Sequence, residues 1–508
     1  MTVPLAALLG GIEPGQPGCL LATTRHGRIE DLVVAGSARV DEHLSIQADT
    51  VFDIASCSKQ FTAACLLSLH RERALDMDAD AREWLPELRA TGLTLRSFLQ
   101  HTSGLPDYFA VLDLAGLELD GIATMEGFIA SFPPRLPPAY QAGTDARYSN
   151  TGYVLAAWAA ARATGLRFAD VLRRQIFDPL GMSASRLHDR IGLVVDRQAF
   201  GYLRDARDFL RCEIPEELVG DGAILTGADD LARWQGFLCH GDALGTALRD
   251  ELLRPARLVS GRTSNYGHGT WVGRVDGHRT LCHGGVMGGF RSWLITRPDS
   301  GEGVVVLANR DDLKVEQLAW QAAGASVAAA PSPPPVRGPW FSRDHHECLF
   351  ADDDSVTIRG AGYQTTPTGT GWVLGSGVPA TASGSLTLRS DDTIGLIDWL
   401  GAAIDFERLS PEVPPSLAGA LPAQWSLTPW PGAPRSWQVS LDAVEGRLST
   451  GTAVHRLSWQ GCTGDVAVWA TRSDITVVLD LGSGRITVNL GGLVTVPPGH
   501  RPGPLPAR

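Results

Sequence analysis

The stretch Val51-Phe52-Asp53-Ile54-Ala55-Ser56-Cys57-Ser58-Lys59-Gln60-Phe61-Thr62 carries Ser-x-x-Lys at the start of a run, residues 61–69, with helical apolar spacing. A separation of three on a helix puts Ser56 and Lys59 on one face, and a serine in the first turn sits where the helix dipole stabilises a developing anion. A serine hydroxyl is a weak nucleophile until a neighbouring base takes its proton, and a lysine withdrawn from water can be that base. Composition sharpens the point. Of 44 basic residues only Lys59 and Lys314 are lysine. Where positive charge is otherwise written as arginine, a retained lysine marks a place where the side chain must be able to release its proton. Cys57, beside the serine, points elsewhere on a helix and reads as packing.

Working outward, two further groups carry chemistry. Tyr148-Ser149-Asn150 lies in a loop before a helical run at 153–163 that Gly165 closes as a C-cap, and His283-Gly284-Gly285 leads into a strand at 290–296. Ser-x-x-Lys, Tyr-x-Asn and His-Gly-Gly in that order resemble the three signatures of the serine β-lactamase and penicillin-binding-protein superfamily. Gln100-His101-Thr102-Ser103-Gly104-Leu105, residues 220–226 and Tyr266-Gly267-His268-Gly269 extend the likeness, which covers roughly the first 330 residues. His-Gly-Gly in place of Lys-Thr-Gly, the form Ser-Cys-Ser-Lys-Gln-Phe-Thr, and two β domains further on narrow the resemblance to the D-stereospecific aminopeptidases.

That resemblance implies roles. Ser56 is the nucleophile, and Lys59 and Tyr148 share general base and acid duty, each needing a pKa well below its free value. Asn150 orients Lys59 and a substrate amide. His283 supports the Tyr148 hydroxyl or the leaving group, with a charge only partial near pH 7. The oxyanion hole combines the Ser56 N–H with that of Gly285 or Val286. The implied activity is an acyl-enzyme aminopeptidase releasing N-terminal D-amino acids from short peptides or amides. An esterase or a D,D-carboxypeptidase-like hydrolase would use the same residues, and a penicillin-binding sensor would acylate without turnover. In the aminopeptidases a loop of one β domain narrows the site. The corresponding region here, residues 466–479, has only Ala470-Thr471-Arg472-Ser473-Asp474 between strands, so a more open cleft is expected.

The whole chain frames these motifs. Its 508 residues and 54.2 kDa suit about three domains, and 44% apolar with 20% charged residues is ordinary globular composition. No apolar run reaches the ~18 residues of a membrane span, and the N-terminus lacks the basic start of a secretory signal, so a soluble cytoplasmic protein with no membrane partner is expected. A net charge of −12 sets nucleic acid aside. Eight scattered cysteines without CxxC pairs favour reduced core thiols.

Strand-like runs at 18–23, 32–35, 290–296 and 303–308 flank the helical segments, including a run at 315–329, and imply an α+β fold: an α/β sandwich on an antiparallel sheet, β-lactamase-like. Beyond the proline-rich stretch 330–335 the texture becomes short alternating runs at 355–358, 385–388, 437–441 and 475–479. Eight of 14 tryptophans lie there, as two small antiparallel β-barrel domains would require. Residues 411–415 split them. The expected domains are 1–330, 337–411 and 416–508.

His101 and Ser103 read as structural, a turn before Pro106. Asp344-His345-His346-Glu347-Cys348 and Asp352-Asp353-Asp354 offer metal-ligand types, but neighbours on a strand point to opposite faces, so no metal and no cofactor are expected. The expected partners are a small-molecule or short-peptide substrate and, for the chain itself, a homodimer.

Overall fold

The structure, a computed structural model, describes residues 4–115, 124, 127–128, 138–212 and 217–325, and beyond residue 336 the strands of two C-terminal sheets with some flanking residues. The prolines at 331–335, the link at 471–474, residues 344–346 and residues 353–354 lie outside the described residues.

Six strands build the first sheet: β1 (Cys19–Arg25), β2 (Arg28–Ala35), β3 (Trp271–Val275), β4 (His278–Met287), β5 (Phe290–Arg297) and β6 (Glu302–Ala308), in the order β3-β4-β5-β6-β1-β2. Every pairing is antiparallel, and the first strand in sequence, β1, pairs with the last of the six, β6, from Cys19 opposite Ala308 to Arg25 opposite Glu302. Alternate residues of a strand face opposite ways, and here both ways are apolar. Leu20, Ala22, Val305 and Leu307 enter one core, shared with the helices α1 (Lys59–Arg71), α2 (Asn150–Thr164) and α3 (Ala228–His240). Cys19, Leu21, Val304 and Val306 enter a second core, closed by Ala319 and Trp320 of α4 (Val315–Ala322). The sheet is therefore the filling of a sandwich, as the flanking strand runs imply. Helix α2 ends at Gly165, left-handed at φ 68°, while α4 stops at Ala322, short of the run to 329.

His283-Gly284-Gly285 does not lead into the strand at 290 but belongs to a strand of its own, β4, paired with β5 from Leu281 opposite Thr296 to Met287 opposite Phe290. Gly288 and Gly289, at φ 50° and 84°, make the two-residue hairpin that only positive-φ residues close. Glycine-rich sequence hides a strand because glycine has low strand propensity. Gly285 is there for contact: a Cβ on it would lie 2.2 Å from the Ile54 carbonyl oxygen.

The C-terminal part is antiparallel sheet. Nine strands between Gly338 and Arg408 form one sheet whose two edges, Ala361–Tyr363 and Thr365–Thr368, are separated in sequence by a single residue, so the sheet curls until its edges approach, as in a barrel. Eight strands between Ala423 and Thr495 form an up-and-down sheet in sequence order. The two share an apolar cluster of Phe341, Cys348, Phe350 and Leu409 with Val466, Val468, Ala470 and Val478, and Ser410 and Cys462 exchange backbone hydrogen bonds of 2.9 Å. Trp469 and Val477 of the second belong to the same contiguous core as the helices. All eight cysteines are unpaired. Six are buried, and Cys212 and Cys462 are half-buried. Among the described residues no helix is long and apolar enough to cross a membrane.

Candidate active site

Ser56 lies in a 3-10 turn, Ala55–Ser58, that feeds directly into α1 at Lys59. The turn is held from several directions. Asp53 Oδ1 accepts the Ala55 N–H at 2.7 Å, and Ala55 itself is left-handed at φ 46°, a conformation alanine adopts only under constraint. The Ser292 hydroxyl of β5 donates to the Ile54 carbonyl at 2.7 Å, and the Cys57 thiol donates to the His283 carbonyl at 3.2 Å. Cys57 thus ties the turn to β4 from beneath, and burial pushes its thiol up to about 12, so it stays protonated.

Lys59 is fully buried, yet its Nζ donates to three oxygens: Ser56 Oγ at 2.9 Å, Asn150 Oδ1 at 2.7 Å and the Asp221 carbonyl at 2.7 Å. Burial pulls its pKa down to about 8, against the opposing pull of Asp221 and Asp107. Asn150, the first residue of α2, is fixed in turn by Asp107 Oδ2, which accepts its backbone N–H at 2.6 Å and its Nδ2 at 2.8 Å. The Asn150 amide therefore presents oxygen to Lys59 and nitrogen to Asp107. The Tyr108 hydroxyl donates to Asp221 Oδ2 at 3.0 Å.

Tyr148 is hydrogen-bonded to Ser56, with its ring centroid 5.0 Å from Lys59 Nζ. Burial pushes its phenol well above its ordinary value, the direction opposite to the one expected for a base, and outweighs the hydrogen bond from Ser56 that pulls the other way. His283 also departs from expectation. Burial, reinforced by the Lys59 charge, lowers it to about 3, so the ring is neutral near pH 7 and carries no partial charge. Its Nδ1 lies 2.6 Å from the Gly284 carbonyl and its Nε2 lies 2.8 Å from Tyr266 Oη. A carbonyl only accepts, which places the proton on Nδ1 and leaves Nε2 to receive the Tyr266 hydroxyl. Gly285 sits directly on the Ser56 turn, and Val286 beside it is 63% exposed at the rim.

His101 holds the Tyr148 segment from within. Its carbonyl accepts the Arg147 N–H at 2.9 Å, its Nδ1 accepts the Ser149 N–H at 3.1 Å, and its ring centroid lies 4.3 Å from that of Tyr148. The residue is left-handed at φ 58°, and burial keeps the ring neutral. The arrangement brings Ser56, Lys59, Tyr148, Asn150, His283 and Gly285 together. Sequence reasoning missed Asp107, Asp221 and Tyr266 as parts of the network. Each adjoins or belongs to a familiar-looking stretch, and that proximity was the available signal.

A serine held by a buried lysine on a helix beneath an antiparallel sheet is the layout of one hydrolase class, and the comparisons agree. The family model described as Beta-lactamase matches residues 8–328, and the chain belongs to that family. It is 30% identical over 320 residues to penicillin-binding protein 4* of Bacillus subtilis, covering 59% of this chain and 70% of that one. It is 27% identical over 385 residues to the D-aminopeptidase of Brucella canis, covering 74% and 73%. Its fold matches the octameric penicillin-binding protein homologue of Pyrococcus abyssi with a TM-score of 0.56 at 18% identity, over 79% of this chain and 97% of that one.

Proposed function

We propose that the chain is a serine hydrolase working through an acyl-enzyme at Ser56, and that it acts as an aminopeptidase on short peptides or amides with an N-terminal D-residue. The observation that carries the chemistry is the 2.9 Å contact between Lys59 Nζ and Ser56 Oγ within a buried pocket that lowers the lysine. Neutral Lys59 takes the Ser56 proton as Oγ attacks the carbonyl carbon, and backbone N–H groups at Ser56 and at Gly285 or Val286 receive the oxyanion. Collapse needs a proton on the departing nitrogen. The Tyr148 hydroxyl, in contact with Ser56 and firmly protonated, gives it and recovers one from the Lys59 ammonium. Water then releases the acyl group by the same route. General base duty thus falls to Lys59 alone, and Tyr148 works as a neutral acid and relay. His283 acts through Tyr266, holding the floor of the site.

The D-amino-acid preference is supported by relatives that carry the name D-aminopeptidase. With the Brucella canis protein the match covers 74% of the chain, more than the family model's residues 8–328. On this reading the three large sheets mark three domains, 1–330, 337–411 and 416–508, of which the first carries the chemistry. Hydrolysis of the p-nitroanilides of D-Ala, L-Ala and Gly, beside p-nitrophenyl acetate and nitrocefin, tests the reading. Faster turnover of the D-Ala anilide than of its L-enantiomer is expected, together with an acyl adduct by intact mass that Ser56→Ala lacks. Equal rates on both enantiomers would remove the D-preference, and labelling of the Ser56→Ala protein would remove the nucleophile.

A further inference from the structure

Arg147, which precedes Tyr148, reaches out of the catalytic region. Its guanidinium lies 3.1 Å from Glu347 Oε1 on the first strands of the nine-stranded C-terminal sheet, and the two side chains are only 10% and 5% exposed. Asp145 Oδ2 is 3.3 Å from Arg147 Nε, and the Tyr140 ring lies beneath the guanidinium at 5.5 Å. A second contact from the same sheet falls beside another site aromatic: the Leu400 carbonyl accepts the Asn265 N–H at 2.9 Å, one residue before Tyr266. Leu400 is buried in the core that also packs Tyr266 and Tyr148.

We infer that Glu347 is a positioning residue for Tyr148, so that the nine-stranded sheet sets the geometry of the proton donor from outside the catalytic region. The physical reason is the contrast between the two clamps on the segment. From within, His101 holds Arg147 and Ser149 by their backbone N–H groups and stacks on the Tyr148 ring. From outside, a charge pair shielded from water, Arg147 with Glu347, fixes the side chain against the sheet. A buried ion pair has one geometry that keeps both charges satisfied, and without Glu347 the guanidinium keeps Asp145, on its own segment, but loses its tie to the sheet, so the loop shifts. Tyr148 is the next residue along and would move with it.

The kinetic arm of the test rests on the acyl-transfer reading, and the exchange arm does not. An alkyl ester or an anilide needs its leaving group protonated, whereas p-nitrophenolate leaves unaided, so a displaced Tyr148 should separate them. In the full-length Glu347→Gln and Glu347→Ala proteins, kcat for D-Ala p-nitroanilide and for D-Ala methyl ester should fall at least tenfold, with p-nitrophenyl acetate falling less than threefold. Glu347→Asp should recover part of the loss. Hydrogen–deuterium exchange should speed up in the peptide 141–150 and stay unchanged in Lys59–Arg71. If Glu347→Ala fails to fold, the Arg147→Met/Glu347→Leu protein, which buries no lone charge, should show the same split and the same exchange. A uniform loss on all substrates, or unaltered exchange at 141–150, overturns the assignment. Should the wild type cleave no anilide, the aminopeptidase reading fails alone, and the exchange result still decides the role of Glu347.

Discussion

Lys59 as an ammonium has three protons and three oxygens to receive them, yet as a base it must arrive with two. That tension sets the pH dependence. With its pKa lowered to about 8, the side chain is neutral in about a tenth of molecules at pH 7. Loss of a proton creates the active form, so kcat/KM for the anilide should rise with pH through about 8 and then level, with no limb from His283, which stays neutral down to about 3. A bell centred below pH 7 would place the base elsewhere. Lys59→Arg should be nearly as damaging as Lys59→Ala, each losing on the order of 10² to 10⁴ in kcat/KM, because arginine keeps the charge and cannot release the proton. That Ser56, Lys59, Tyr148 and Asn150 converge was legible from spacing because each stands in a short motif. Asp221 was not: it lies 162 residues from Lys59 and offers a backbone carbonyl, a group that no residue identity announces. The raised phenol of Tyr148 depends on burial, which only the assembled fold reveals.

Two glycines separate tight contact from conformation at the level of elements. Gly285 of β4 faces Ile54, and a Cβ there would meet the carbonyl oxygen at 2.2 Å and Ser292 Oγ at 2.3 Å. Gly285→Ala must therefore push β4 away from the Ser56 turn. We expect a loss of about 3 kcal/mol or more, read by denaturant titration, and the disappearance of burst-phase acylation. Gly165, which closes α2, has open space around it and only its φ of 68° against substitution. Gly165→Ala should cost about 1–2 kcal/mol and leave kcat unchanged. The sandwich, its flanking strands and the C-cap of α2 were readable from apolar alternation and helical spacing. Strand β4 was not, because the glycines that let it approach the turn also erase its pattern.

At the scale of the molecule, the eight-stranded sheet shares apolar side chains with both the nine-stranded sheet and the helical core. A chain cut after residue 417 would bare Phe341, Phe350 and Leu409, and it should elute as aggregate in gel filtration where the full-length protein gives a single species. A soluble truncation with unaltered substrate ratios would show that the sheet neither covers nor shapes the site. The change of texture after the proline-rich stretch was visible in the sequence, but the shared cluster was not, since pairings between distant strands leave no local trace.

The placement of the thiols has a chemical consequence. Cys57, next to Ser56, is sealed under β4 with its sulfur pushed up to about 12, and Cys19 and Cys348 stand equally high and buried. Peroxide or an electrophile meeting the folded molecule finds no thiolate near the reaction. Maleimide should add to Cys212 and Cys462 alone and leave turnover intact, so this hydrolase can be tagged, tethered or worked under oxidising conditions without a reductant.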